Sequence, residues 1–325
     1  MTERADASDG GTAVRFCTIA DSAHYVGLVA LVNSLRLHGH DDPITVLDVG
    51  LTDAERAELA PHCDVVDPPG PGRHAWLLAP HACLARPATV VVSVDADVIV
   101  TAPLDAILAR ARDGKICAFP DPLRTRWFGE WEHEFALPGP PRRQPYVNTG
   151  FVAFSTRAFP ELLGEWAARC DAVSVVPTTA PPLDLGDPLA LADQDSFNAL
   201  LMSVVPAERL SVQPRAEAVQ GPWALTQTHV DDLRTLACSL DGTPITLLHS
   251  FGSPKPWHAQ PGRYLRASAY LLCLRRLLVG DDVALRSEVR RVPWLAPGLR
   301  GELALRSRTT LTSVWGWGRR RFGRA

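Results

Sequence analysis

The chain has 325 residues, 46% of them apolar and 21% charged, with a formal net charge of −3. That is ordinary globular composition with room for one large or two ordinary domains, and it lacks the basic footprint of a nucleic-acid-binding protein. Its seven cysteines are scattered with no Cys-x-x-Cys pair, which argues against a disulfide framework or a thiolate zinc site and fits a reducing cytoplasm.

Residues 1–13 are polar, carry no apolar signal-peptide core and read as a disordered N-terminus. Arg15 to Ala20 reads as a first strand, with Asp21 at its end. From His24 to His38 the apolar positions Val26, Leu28, Val29, Leu31, Val32 and Leu35 predict a helix with a broad buried face, stopped by Gly39. Ile44 to Val49 is a second strand. Thr52-Asp53-Ala54-Glu55 has the spacing of a capping box, in which hydroxyl and carboxylate satisfy each other's backbone amides. Cys63 to Val66 is a short third strand, followed by a Pro/Gly cluster and a poorly defined helical piece around residues 74–85. Strands alternating with helices predict a doubly wound parallel sheet, whose ligands bind outside the carboxyl ends of its strands.

Val90 to Val100 is an apolar, β-branched run broken only by Ser93, Asp95 and Asp97. Such a run predicts a strand buried on both faces. Residues two apart on an extended chain point the same way, so the two carboxylates can converge on one cation. A solvated turn at a strand end is the competing reading, against which the flanking hydrophobicity weighs. Pro103 is expected in the first turn of a helix from Leu104 to Arg112. Lys115 to Phe119 reads as a strand. Trp127, Phe128, Trp131 and Phe135 either pack in the core, the preferred reading, or form a wall for stacking sugars. Tyr146 to Ser155 is a strand with Asn148-Thr149-Gly150 set inside it, and a glycine there marks a close approach by ligand or backbone. Arg157 to Cys170 reads as helical, and residues 171–190 as an irregular loop. Asp193-Gln194-Asp195 opens another helix, where an aspartate is either an N-cap or part of a site. Glu208 to Val212 and Ile245 to Leu248 are strands, the second ending at His249. The rigid segment from His249 to Trp257 then carries Lys255, one of only two lysines.

TIADSAHY, VSVDADVIV, YVNTGF, ADQDSFN and HSFGSPKPWH, in this order, resemble the retaining glycosyltransferases of family 8, which include bacterial galactosyl- and glucosyltransferases and glycogenin. The resemblance covers residues 14–258. It implies a GT-A fold: an α/β, Rossmann-like, doubly wound and mostly parallel sheet that continues into an acceptor-binding half. It also implies a metal-dependent enzyme moving a hexose from a UDP-sugar to a saccharide, glycolipid or other acceptor hydroxyl, with Mn²⁺ or Mg²⁺ as cofactor. Asp95, Asp97 and His249 match the family's metal ligands. Lys255 and the backbone at Gly252 match groups that hold the diphosphate. Ala20, Asp21, Tyr25, Asp95 and Ala96 match nucleotide contacts, and Asn148, Thr149 and Asp193 match groups around the donor sugar. Gln194 matches the amide beside the anomeric carbon. The basic element that the family places upstream of the Asp pair has no counterpart in Trp76 to His81, where only His81 could substitute. A non-catalytic sugar-nucleotide or glycan-binding module of the same fold, and a phosphohydrolase using the Asp pair, are the competing readings. Gln194 and the His249 to Lys255 segment weigh against both.

The expected organisation is therefore a GT-A domain over 14–265 and a helical, basic tail over 266–325. From Arg286 onward ten arginines face two glutamates, with Trp294, Trp315, Trp317 and Phe322 interleaved. That composition suits an anionic membrane surface, giving an expectation of peripheral attachment on the inner face of the plasma membrane and of no nucleic-acid partner.

Overall fold

The computed structural model describes residues 12–70, 72–173, 184–221, 225, 227–252, 255–258, 268–287, 299–301 and 303–304. Seven strands, β1 (Thr12–Ala20), β2 (Ile44–Asp48), β3 (Asp64–Val66), β4 (Ala88–Val94), β6 (Ile116–Pro120), β7 (Val147–Ser155) and β8 (Leu210–Val212), form one sheet in the order β3-β2-β1-β4-β7-β6-β8. The first four of that order are parallel, β7 runs against both its neighbours, and β8 is parallel to β6.

The alternation of side chains along β4 shows why its sequence is mostly apolar. Val90, Val92 and Val94 enter one core with helix α1 (Tyr25–Leu37). Val91 enters a second core, on the opposite face, with α3 (Ala79–Leu84), α6 (Leu162–Ala172) and α7 (Ala192–Val204). A strand covered by helices on both sides has no solvent face on which to place polar residues. The capping box opens α2 (Asp53–Leu59) as expected: Glu55 N donates to Thr52 Oγ1 at 3.3 Å and Thr52 N to Glu55 Oε2 at 2.8 Å. Gly39 follows α1 at φ +78°, a left-handed conformation that glycine adopts without a Cβ clash.

Four expectations need correction. Val90 to Val100 is not one strand. After β4 the chain turns at Asp95-Ala96-Asp97, with Val98 N donating to Asp95 O at 3.1 Å. It resumes as β5 (Val98–Val100) in another sheet, antiparallel to β13 (Leu247–His249), which in turn lies parallel to β9 (Ala218–Gln220), while β10 (His229–Asp232), β11 (Ala237–Leu240) and β12 (Thr243–Pro244) pair in a third. Pro103 precedes the N-cap Leu104 of α4 (Asp105–Arg112) rather than sitting in its first turn. Residues 157–161 are turns before α6. Residues expected in the tail also belong to the core: α8 (Ala269–Val279) buries Tyr270, Cys273, Leu274 and Leu277 in the same cluster as α1.

Of the expected disordered N-terminus, residues 1–11 lie outside the described residues, and Thr12 already belongs to β1. Most of the basic stretch after Arg286 also lies outside them. Among the described residues no helix is long and apolar enough to cross a membrane. The aromatic segment packs as core. Trp131, the first residue of the short α5 (Trp131–Glu134), is fully buried, stacks on Tyr146 at 6.2 Å and donates its indole N–H to Pro188 O at 2.7 Å, with Phe135 buried beside it.

Candidate active site

Asp21 follows β1, Asp95 and Asp97 follow β4, and Asp121 follows β6. Because β7 is antiparallel, its first residues, Asn148 to Gly150, lie on this same edge of the sheet. His249 arrives from the end of the chain's other half through the pairing of β13 with β5, where it faces Val98.

Asp95, Asp97 and His249 form a cluster whose ligand atoms all lie within 4.8 Å of one another. His249 Nε2 is 3.3 Å from Asp95 Oδ2 and 3.2 Å from Asp97 Oδ1. Asp97 and His249 are buried, while the Asp95 side chain is 55% exposed. The two aspartates converge through the turn, since the chain is not extended there. Asp95 N donates to Gly150 O at 3.0 Å, which ties the turn to β7. Gly150 serves a second purpose: a Cβ at that position would lie 2.8 Å from His249 Nδ1, so the imidazole occupies the space where a side chain would be. The close approach expected at this glycine is thus made by a side chain. Gly27 plays the same part under the turn, because a Cβ there would meet Ala96 O at 2.5 Å and the Trp257 ring at 2.6 Å.

Two atoms of the cluster, Asp97 Oδ1 and His249 Nε2, are buried with no hydrogen-bond partner. Buried polar atoms ordinarily find partners, and these two face each other across 3.2 Å without making a hydrogen bond. Two carboxylates and an imidazole with open positions beside them suit a small divalent cation such as Mn²⁺ or Mg²⁺. The residues fit the ion that the resemblance implies. Cationic protein groups surround Asp97: Lys255 Nζ is paired with Oδ2, and His249 is beside Oδ1. Burial opposes ionisation of Asp97, but Lys255 and His249 hold its carboxyl well below the usual range. Burial likewise disfavours charge on His249, yet Asp97 and Asp95 outweigh it and push the imidazole up to about 9.

A second group of polar side chains adjoins the cluster. Asp121 Oδ2 accepts from Asn148 Nδ2 at 2.9 Å and from Gln194 Nε2 at 3.1 Å. Gln194 Oε1 accepts from Thr149 N at 3.2 Å, so both ends of the amide are held. Thr149 Oγ1 donates to Asp193 Oδ2 at 3.1 Å. Neither Asp193 nor Asp195 is the N-cap of α7, a place held by Leu191. Asp195 is structural: Arg126, Tyr146 and Leu191 N all donate to it, and Arg126 also holds Leu185 O and Asp187 O. Burial and the charge of Asp95 push the Asp193 carboxyl up to about 8, although the side chain keeps some solvent contact.

The sign of that shift gives a prediction. An unfolded carboxyl titrates near 3.8 and this one near 8, so the folded state binds the extra proton between those values. Stability from Asp193 is therefore complete below the lower value and is lost as pH rises towards 8. In EDTA, Asp193→Asn should melt progressively higher than the wild type as pH goes from 5 to 8.5. A melting-temperature difference independent of pH over that range would contradict the neutral carboxyl.

The remaining expected residues are placed as follows. Ala20 is buried and its carbonyl accepts from Val49 N at 3.0 Å. Asp21 Oδ1 accepts from His24 N at 2.9 Å and lies 2.7 Å from His24 Nδ1. The Tyr25 hydroxyl donates to Glu58 at 2.6 Å and its ring is buried, so the more exposed ring of this turn is His24. Trp257 Nε1 donates to Ala23 O at 2.7 Å, docking the Lys255 segment on the same turn. Gly252 is exposed at φ +84°. His81 does not take the place of an upstream basic group in the site: it lies 2.8 Å from Asp171 on α6, where Arg73 also pairs. Asp121, Gly27 and Tyr270 escaped the reading of the sequence. Asp121 had a usable signal, a carboxylate just past a strand end, like those that were noticed.

No protein-family model matches the sequence, and no curated protein matches it. Among solved structures, an active-site mutant of LgtC aligns with a TM-score of 0.52 at 18% identity, over 85% of this chain and 99% of that one. The apo bifunctional glycosyltransferase WbbM aligns with a TM-score of 0.51 at 14% identity, over 86% of this chain and 51% of that one, so this chain spans about half of WbbM. The galactosyltransferase LgtC in complex with donor and acceptor sugar analogues gives 0.46 at 18% identity, over 76% and 90% of the two chains. The chain has the GT-A fold of the LgtC mutant and WbbM.

Proposed function

We propose that this protein is a metal-dependent retaining glycosyltransferase of the family 8 kind, moving a hexose from a UDP-sugar to the hydroxyl of a saccharide, glycolipid or other acceptor. The observation that carries the reading is the facing pair of unsatisfied buried atoms, Asp97 Oδ1 and His249 Nε2, at the ligand-binding edge of a GT-A sheet. Asp95, Asp97 and His249 would hold Mn²⁺ or Mg²⁺, which when bound acts as a Lewis acid against the charge of the departing diphosphate.

The chain's own groups do the rest. Lys255 supplies a compact ammonium at the Asp97 side of the cluster, suited to a phosphate oxygen whose charge rises as the bond to the sugar breaks. Gly252 leaves backbone free to approach that diphosphate, and Asp21 with the turn that follows it receives the nucleoside. Asn148, Thr149 and Asp193 offer hydrogen bonds to sugar hydroxyls. Gln194 has its carbonyl oxygen on Thr149 N and its amino group on Asp121, so it is oriented and electronically engaged. An amide so held is a poor nucleophile, and its role is to shape and stabilise the face of an oxocarbenium-like transition state. The acceptor hydroxyl then attacks from the side the leaving group vacates and gives its proton to the departing UDP.

The test is a screen of UDP-sugars with Mn²⁺, read by UDP release and by mass spectrometry of transferred sugar. Turnover of at least one donor, lost in EDTA and restored by Mn²⁺, with the anomeric configuration kept by NMR, is the expected result. Undiminished turnover in EDTA would remove the metal assignment, and failure to bind or turn over any UDP-sugar would remove the transferase reading.

A further inference from the structure

Helix α8 lies beyond the segments that carry the family resemblance, yet it touches the turn that bears the aspartates. Tyr270, its second residue, is fully buried, and its hydroxyl donates to the backbone carbonyl of Asp97 at 2.8 Å. Ser250 N donates to the same carbonyl at 3.2 Å. That carbonyl and the Val98 N–H belong to one planar peptide, whose tilt is the ψ angle of Asp97: the turn's own hydrogen bond, from Val98 N to Asp95 O, holds one edge of the plane, and Tyr270 and Ser250 hold the other. Holding both edges fixes how the plane meets the Cα–Cβ bond, and so limits where the carboxylate can point. Asp97 is the residue for which that matters most, because its two oxygens face different partners, Oδ1 towards His249 and Oδ2 towards Lys255.

The donor is itself on a braced element. Asn33 of α1 donates to Leu277 O at 2.8 Å and to Leu285 O at 2.9 Å, and accepts from Leu285 N at 2.7 Å. Ser268 caps the start of α8, accepting from Leu271 N at 3.3 Å. Helix α1 contributes Gly27 beneath Ala96, so both helices bear on the same turn. We propose that Tyr270 is a positioning residue for the cation cluster: by holding the Asp97 carbonyl it aims the carboxylate and sets the affinity for the divalent ion. This rests on the metal-dependent reading of the site.

Tyr270→Phe keeps the ring and removes the hydroxyl, leaving the carbonyl with the Ser250 amide. Thr52→Ala is the control, since it removes the cap of α2 and leaves α8 and the Asp97 turn untouched. Mn²⁺ binding to the full chain without nucleotide, followed by electron paramagnetic resonance of the free ion, gives a readout independent of turnover. The expected result is a dissociation constant about tenfold higher for Tyr270→Phe, as is usual when a group that orients a ligand is lost. Thr52→Ala should bind Mn²⁺ like the wild type although its melting temperature falls as far or further. Unchanged affinity in Tyr270→Phe, or equal weakening in Thr52→Ala, would overturn the proposal while leaving the metal site intact. Failure of the wild-type protein to bind Mn²⁺ would overturn the metal reading and this proposal with it.

Discussion

Asp97→Asn should lose Mn²⁺-dependent turnover by about three orders of magnitude or more, because a bound cation supplies several kcal/mol of charge stabilisation and each ~1.4 kcal/mol is tenfold in rate. The amide keeps the size of the carboxylate but cannot offer the anionic Oδ1 that faces His249. Asparagine is the better test than alanine for a reason visible only in the structure. Asp97 is the shared counter-charge of Lys255 and His249, so it is not a costly anion whose removal would relieve the fold. Removing one partner of a buried ion pair costs about 3–5 kcal/mol, since the other charge is stranded. Alanine would thus confound instability with lost chemistry, whereas the amide can still accept from the Lys255 ammonium. The backbone of the turn should survive in either variant, because Tyr270 and Ser250 hold the Asp97 carbonyl rather than its side chain. Turnover at wild-type efficiency in Asp97→Asn, still abolished by EDTA, would place the metal elsewhere.

Gly150→Ala should lower kcat/KM and Mn²⁺ affinity by about two orders of magnitude while far-ultraviolet circular dichroism stays that of the wild type, in line with the loss of one preorganised group. The added methyl would lie 2.8 Å from both His249 Nδ1 and Asn148 Oδ1. β7 is an interior strand, hydrogen-bonded to β4 on one side and β6 on the other, so it has little freedom to retreat. The imidazole must move instead, and it leaves the two carboxylates when it does. Overpacking of this kind costs about 1–3 kcal/mol, which should appear as a modest fall in melting temperature. Wild-type Mn²⁺ affinity in Gly150→Ala would show that His249 does not need the place it occupies against β7.

Local pattern was enough for much of this protein. The run of valines from Val90 to Val94, broken only by Ser93, reports burial on both faces, and the capping box at Thr52 and the stop at Gly39 depend only on neighbours a few residues away. Polar groups placed just beyond strand ends pointed to one shared edge of the sheet, because parallel crossovers bring those ends together whatever the details of the loops. What only the tertiary structure decided are the meetings between distant segments. Nothing in the spacing of Asp95 and Asp97 says that the chain turns there and that β5 leaves the main sheet to pair with β13, the step that delivers His249. Nor could a lone glycine in β7 announce that the imidazole would fill its empty side-chain space, or a tyrosine in a presumed tail that its hydroxyl would reach the Asp97 carbonyl. Hydrophobic period records whether a residue is buried, and it is silent about which partner buries it. That choice belongs to strand register and helix docking across the whole chain, so Asp95, Asp97 and His249 could be named from the sequence while the geometry that brings them together could not.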